Sequence, residues 1–205
     1  MLWIAVVIVI FLIPANQQII EWNKSLKLPS AFQQIENWMR KTEQEKSLIT
    51  QKLLQMNSFS ELLVALMVFG VIGPVGEEVL FRGVLQHKLV EWHVSSAVSI
   101  WAIALLFSII HFQFYGFFPR LFLGALFGYF LHWSGNIWVA IGAHVANNSL
   151  FVITAYAQQN WPSLHKSIST ISGSTIAILL SISVSIYLLR LFRRRNFLMY
   201  QSIRN

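Results

Sequence analysis

The sequence predicts an all-α protein, a bundle of about five to six membrane helices with one amphipathic segment lying at the interface. Two observations carry that expectation. Apolar residues make up 56% of the 205-residue chain and charged residues only 11%, against roughly 25% charged in soluble domains. The apolar residues also fall into successive long runs, raising the mean hydropathy to +0.59. Too little polar surface is left to keep such a chain dissolved. A lipid bilayer is therefore its expected surroundings, and nothing in the sequence points to nucleic acid.

The first run, Leu2 to Pro14, is short for a span, which needs ~20 residues, and reads as a tilted or partial helix. It lacks the positive leader and small-residue cleavage site of a signal peptide. Trp22 to Asn57 is the polar stretch, with six Lys/Arg, and Phe32, Ile35, Trp38 and Met39 recur in it at helical spacing. That pattern suits one or two amphipathic helices at the interface. Residues 1–57 thus form an N-terminal unit ahead of the membrane core expected over 58–156.

Within that core, one kinked helix is expected from about Ser60 to Trp92, bent at Gly73-Pro74. A second segment covers roughly Val98 to Phe112, and the aromatic stretch Phe112 to Arg120 reads as a turn near an interface. A third runs from Leu121 to Trp133, with Gly124 and Gly128 at the spacing that lets helices approach closely. A fourth covers Ile137 to Tyr156. Residues 157–205 read as a polar loop, a last membrane helix over Ile176 to Phe192, and a basic tail with Arg190 and Arg193 to Arg195. Helix counting puts this tail and the basic stretch 22–57 on opposite sides, so the positive-inside rule gives conflicting orientations.

Composition narrows the chemistry. There is no Cys, which removes thiolate nucleophiles, thiolate metal sites and disulfides. There is no Asp either, so carboxylate chemistry falls to eight Glu residues. A two-aspartate intramembrane site is thereby excluded, and neither the His-Glu-x-x-His zinc signature nor a Gly-x-Ser-Gly serine site occurs.

Ionisable side chains inside membrane segments are costly and usually mark function. Glu78 and Arg82 are four residues apart on one helix face and can pair, whereas Glu77 points about 100° away. One Arg cannot cancel two carboxylates, which leaves Glu77 free. His111 ends a strongly apolar run and by itself reads as a core or interfacial histidine. His144 and Asn148 share a face of the fourth segment and make a directed hydrogen-bonding surface. Counted from the Trp92/Val98 end, Glu77 and His111 lie at similar depth, ~22 and ~20 Å. His144 comes out shallower, a gap that tilt or a deep-starting helix would have to close.

These residues, Glu77-Glu78-x-x-x-Arg82, Phe107-x-x-x-His111 and His144-x-x-x-Asn148, resemble in order and spacing the three motifs of the CPBP family. That family comprises the type II CAAX prenyl endopeptidases and bacteriocin-processing (Abi) enzymes. The resemblance implies an intramembrane endopeptidase in which Glu77 activates water and His111 helps to hold it. It further implies that His144 and Asn148 stabilise the oxyanion, with Glu78 and Arg82 as a supporting ion pair. The family is also described as metalloproteases, and Glu77, His111 and His144 would be the ligand set for a divalent metal such as zinc. The metal-free scheme is favoured, since Asn148 is a poor zinc ligand and a good oxyanion donor. The implied partner is a membrane-associated protein or peptide substrate, and the compact size points to a bacterial inner membrane. Two rival expectations remain: a non-catalytic immunity or scaffold protein of the same fold, and a small proton-coupled transporter.

Overall fold

The computed structural model describes residues 1–204, with side chains described through Asn196. It is all helical among the described residues: α1 Leu2–Ser25, α2 Gln33–Leu53, α3 Phe59–Glu91, α4 Ser96–Ile109, α5 Phe117–Ser134, α6 Ile137–Asn160, α7 Pro162–Ser172 and α8 Thr175–Arg204. Five of these, α1, α3, α5, α6 and α8, are long and apolar enough to cross a membrane. The sixth expected segment is α4, which has 14 residues and spans only ~21 Å.

The first segment departs from expectation. α1 does not stop at Pro14 but runs on for 24 residues to Ser25, giving it a full span. Proline cannot donate to the carbonyl four residues back, so neighbours must compensate for the interruption. Ser181 Oγ of α8 donates to Phe11 O, 2.5 Å away, close to that point. The N-terminal half of α1 is the centre of the bundle. Ile4, Ala5, Ile8 and Val9 are buried against Phe127 and Phe130 of α5, Val139, Ala140 and Ala143 of α6, and Phe192 of α8.

α3 is continuous through Pro74 and widens into π-helical turns over Leu66–Ile72 and Val79–Gln86, which flank the α-helical Gly73–Glu78. Pro74 has no N–H for the carbonyl of Gly70, and widening the preceding turn absorbs the mismatch. Gly70 matters for packing as well, because a Cβ there would come within 2.8 Å of Ser149 Oγ on α6. The bare backbone lets α3 and α6 lie side by side.

Gly124 and Gly128 act as their spacing suggests. A Cβ on Gly128 would lie 2.9 Å from Ile100 of α4, and one on Gly124 3.4 Å from Ala104. α4 and α5 therefore pack closely, and the carbonyls of both glycines are open to α3.

The depth gap at His144 closes because α6 begins inside the bundle. Ile137 Cδ1 packs over Gly83, at 3.1 Å from where a Cβ would stand. Gly83 lies eight residues, ~12 Å, above the Glu91 end of α3. With that offset His144 stands at about the level of Glu77. The polar N-terminal stretch is largely the helix α2, none of whose residues is buried. Phe32, Ile35, Leu48 and Ile49 are all exposed on it or just ahead of it, as an interfacial helix requires. The segment read as a polar loop after Tyr156 is also mostly helical, since α6 continues to Asn160 and α7 follows.

Candidate active site

Glu78 is the structural centre of the site, wholly buried on the face of α3 that meets α5 and α6. Its Oε1 accepts from Arg82 Nη1 at 2.9 Å and from His144 Nδ1 at 2.8 Å. The Glu78–Arg82 pair expected from i,i+4 spacing is therefore present, and it recruits a third residue from α6. Arg82 Nη2 goes on to donate to Gly124 O at 2.7 Å. One turn later Gln86 Nε2 donates to Gly128 O at 3.3 Å. Two polar side chains four residues apart on α3 thus meet two glycine carbonyls four residues apart on α5. Only a glycine leaves room for each approach, since a Cβ on Gly124 would be 3.3 Å from Arg82 Nη2 and one on Gly128 2.8 Å from Gln86 Oε1.

Aromatic rings enclose this network. The Arg82 guanidinium lies over Phe107 at 5.0 Å and over Phe127 at 5.7 Å from the ring centroids. His144 stacks on Phe127 at 4.8 Å, and Phe107 stands edge-on to it at 6.0 Å. A buried guanidinium without such faces would be poorly solvated. Phe107 was legible as part of a motif, whereas Phe127 and Gln86 carried no sequence signal beyond helical spacing.

Glu77 sits on the adjacent face. Its side chain is 35% exposed while that of His144 is 5% exposed, and Glu77 Oε2 faces His144 Nε2 at 3.6 Å. That separation is too long for a direct hydrogen bond. With Nδ1 donating to Glu78, His144 presents Nε2 to Glu77. The imidazole is thus held between two carboxylates, one buried and one open.

His111 follows α4, and its Nδ1 is fixed by Phe107 O at 2.6 Å, which leaves Nε2 for other work. The Phe107 ring, edge-on to both histidines, lies 4.8 Å from that of His111 and 6.0 Å from that of His144. The residue after it, Phe112, has φ 49°, a left-handed conformation costly for a non-glycine residue. Two elements outside the motifs hold this stretch. Asn23 of α1 donates from Nδ2 to Phe114 O at 3.1 Å and accepts at Oδ1 from Phe118 N at 3.0 Å. From α2, Lys46 donates to His111 O. Neither residue was identifiable from sequence, because each acts across a long stretch of chain.

Asn148 lies one turn beyond His144. Its Oδ1 accepts from Asn147 Nδ2 at 3.1 Å, and its Nδ2 donates to Phe69 O, in the first π-helical stretch, at 3.4 Å. Glu77, Glu78, Arg82 and His144 thus form one cluster, with Asn148 at its edge on α6 and His111 against Phe107. Among the described residues no group of three His or Glu side chains is gathered closely enough to hold a metal ion. Glu77 Oε2 and His144 Nε2 face each other at 3.6 Å, while His144 Nδ1 is bonded to Glu78.

The comparison with protein families bears on this geometry directly. The family model described as type II CAAX prenyl endopeptidase Rce1-like matches residues 59–150. Residues 59–150 are an Rce1-like segment. It opens at the start of α3 and closes two residues after Asn148, so all three motifs lie inside it. Two of the five helices long and apolar enough to cross a membrane, α3 and α5, and most of a third, α6, carry this similarity. α1, α2, α7 and α8 lie outside the Rce1-like segment. No curated protein and no solved structure matches the chain.

Proposed function

We propose that this protein is an intramembrane endopeptidase that cuts a peptide bond in a membrane-associated protein or peptide, with Glu77 as the base. The observation that carries the reading is the placing of His144 between Glu78 at 2.8 Å and Glu77 at 3.6 Å, inside an Rce1-like segment. A water placed to one side of the two facing atoms lies within hydrogen-bond reach of both.

In this reading a water oxygen attacks the scissile carbonyl carbon while Glu77 takes its proton. Glu77 then returns that proton to the leaving amine as the C–N bond breaks. His111, whose Nδ1 is fixed by Phe107 O, holds the water through Nε2. His144, oriented by the Glu78 carboxylate behind Nδ1, stabilises the oxyanion by donating from Nε2. Asn148 turns its amide from the long 3.4 Å bond to Phe69 O toward the same oxygen. Arg82, held by Glu78 and Gly124, keeps the Glu78 carboxyl group in place behind His144. No step is routed through a metal.

The test is to reconstitute the purified protein in vesicles with membrane-anchored peptides and search for new termini by mass spectrometry. The peptidase reading expects discrete cuts. Proton-coupled flux without cuts would favour the transporter, and neither activity would favour the immunity or scaffold reading.

A further inference from the structure

α2 crosses over the site end of the bundle like a strap fixed at two places. Near its N-terminal half, Trp38 packs on Phe114 at 5.2 Å, Arg40 lies over the Tyr115 ring at 5.4 Å, and Lys46 donates to His111 O. Just past its C-terminal end, Gln159 of α6 accepts from Met56 N at 2.9 Å and donates to Leu54 O at 2.8 Å. Between these attachments the strap stands clear of α6 and leaves a cavity of about 980 Å³. That volume is in the range that holds a ligand.

The lining mixes apolar and polar side chains and includes a carboxylate oxygen with no hydrogen-bond partner. Gln51 of α2 and Gln55 just after it share the lining with Gln158 and Gln159 of α6 and Gln113 of the turn. Side-chain amides donate and accept at once, as the alternating N–H and C=O groups of an extended peptide require. Glu43 also lines the cavity, and its Oε2 is buried without a hydrogen-bond partner. A buried carboxylate oxygen left unpaired is costly, which points to a cationic group brought by a ligand. Lys52, the cation in the lining, stands nine residues along α2, ~13 Å from Glu43. Arg120 of α5 lies within electrostatic range of Glu43, but its Nη2 donates to Gln113 Oε1 at 2.7 Å and Glu43 Oε2 receives no hydrogen bond.

The cavity continues the catalytic stripe of α6. Phe151 and Ala155, both in its lining, fall seven and eleven residues after His144, on the same helix face and ~10 and ~16 Å along the axis. An extended chain covers that distance in roughly three to five residues at ~3.3 Å each. We propose, resting on the peptidase reading, that this cavity is a subsite for the extramembrane part of the substrate. It takes an extended peptide whose Lys or Arg side chain pairs with Glu43, roughly three to five residues from the bond that is cut. Its outer wall, α2, lies outside the Rce1-like segment and so is this chain's own selectivity element.

The test uses the full chain in vesicles of phosphatidylcholine, whose zero net charge keeps a Lys side chain off the lipid surface. The probes are palmitoylated, fluorescein-labelled Ser/Ala peptides, each with one Lys moved a single position further from the lipid. Binding is read on the Glu77→Gln protein, so that no probe is consumed. One or two adjacent Lys positions should bind on the order of tenfold more tightly than the Lys-free probe. Glu43→Gln should remove that register, and Glu43→Lys should replace it with a preference for Glu at the same positions. Equal binding of every probe, or a Lys preference that survives in Glu43→Lys, would overturn the subsite. Cleavage of the same series by the unsubstituted protein is read separately. A Glu43-dependent register without cleavage keeps the subsite and removes the peptidase reading, whereas cleavage with no charge register does the reverse.

Discussion

His144 donates its Nδ1–H to Glu78 Oε1 at 2.8 Å, joining residues 66 apart in sequence, and this bond turns the opposite ring nitrogen toward Glu77. The two neighbouring carboxylates therefore have different duties. Glu78 is wholly buried and paired, while the side chain of Glu77 is one-third exposed.

That division predicts different outcomes for the same substitution. Glu78→Gln leaves Arg82 buried without its counter-charge, and breaking such a pair costs about 3–5 kcal/mol. Glu77→Gln removes no ion pair with Arg82 and should change stability by less than about 1 kcal/mol. Thermal unfolding in detergent measures both. The double change Glu78→Gln/Arg82→Met should recover most of the loss of Glu78→Gln alone. Equal melting temperatures for the two single variants would contradict the assignment of Glu78 as the buried partner.

Gly128→Ala should be worse than Gly124→Ala. The new methyl on Gly128 meets Ile100 at 2.9 Å as well as Gln86 Oε1 at 2.8 Å, whereas on Gly124 its nearest neighbours stand at 3.3–3.4 Å. Overpacking of the first kind costs about 1–3 kcal/mol. The ratio of melting temperatures decides the matter, and a more stable Gly128→Ala would refute the close approach of α3, α4 and α5.

Asn23→Ala removes both hydrogen bonds that pin the aromatic turn after His111. A loss of about 1–2 kcal/mol is expected, with faster hydrogen exchange confined to residues 111–118 and a fall in turnover. Unchanged exchange there would show that the turn is held by other means.

The start of α2 should be acid-sensitive. The Arg40 side chain, which donates to Glu36 Oε1, and the Leu28 backbone N–H, which donates to Oε2, hold the Glu36 carboxyl below its usual range. A group whose folded value is depressed contributes stability above its ordinary value and loses it as pH falls through the folded one. Exchange protection at residues 28–40 should thus stay constant from neutral pH down to about 5 and decline only in more acid solution. A decline that began near neutrality would assign the effect elsewhere.

Much of this architecture was legible in the chain because hydropathy and helical period act locally. The segments containing Glu77, His111 and His144 could be read in order, and the pairing of Glu78 with Arg82 followed from i,i+4 spacing alone. What stayed hidden depends on partners distant in sequence. Pro14 looked like an end because the compensating contacts come from α8. The recruitment of His144 by Glu78, the clamp of Asn23 on the aromatic turn and the docking of Gln86 on Gly128 each join separate helices. Spacing set depth, but it could not show that Nδ1 of His144 meets Glu78.

The central claim is that Glu77 activates the attacking water, and the single-turnover cleavage rate of Glu77→Gln tests it most directly. With a membrane-anchored peptide cut by the unsubstituted protein, the variant should bind the peptide normally and lose about 10²–10⁴-fold in rate at unchanged melting temperature. A variant that cuts the same bond at the unsubstituted rate would contradict the account.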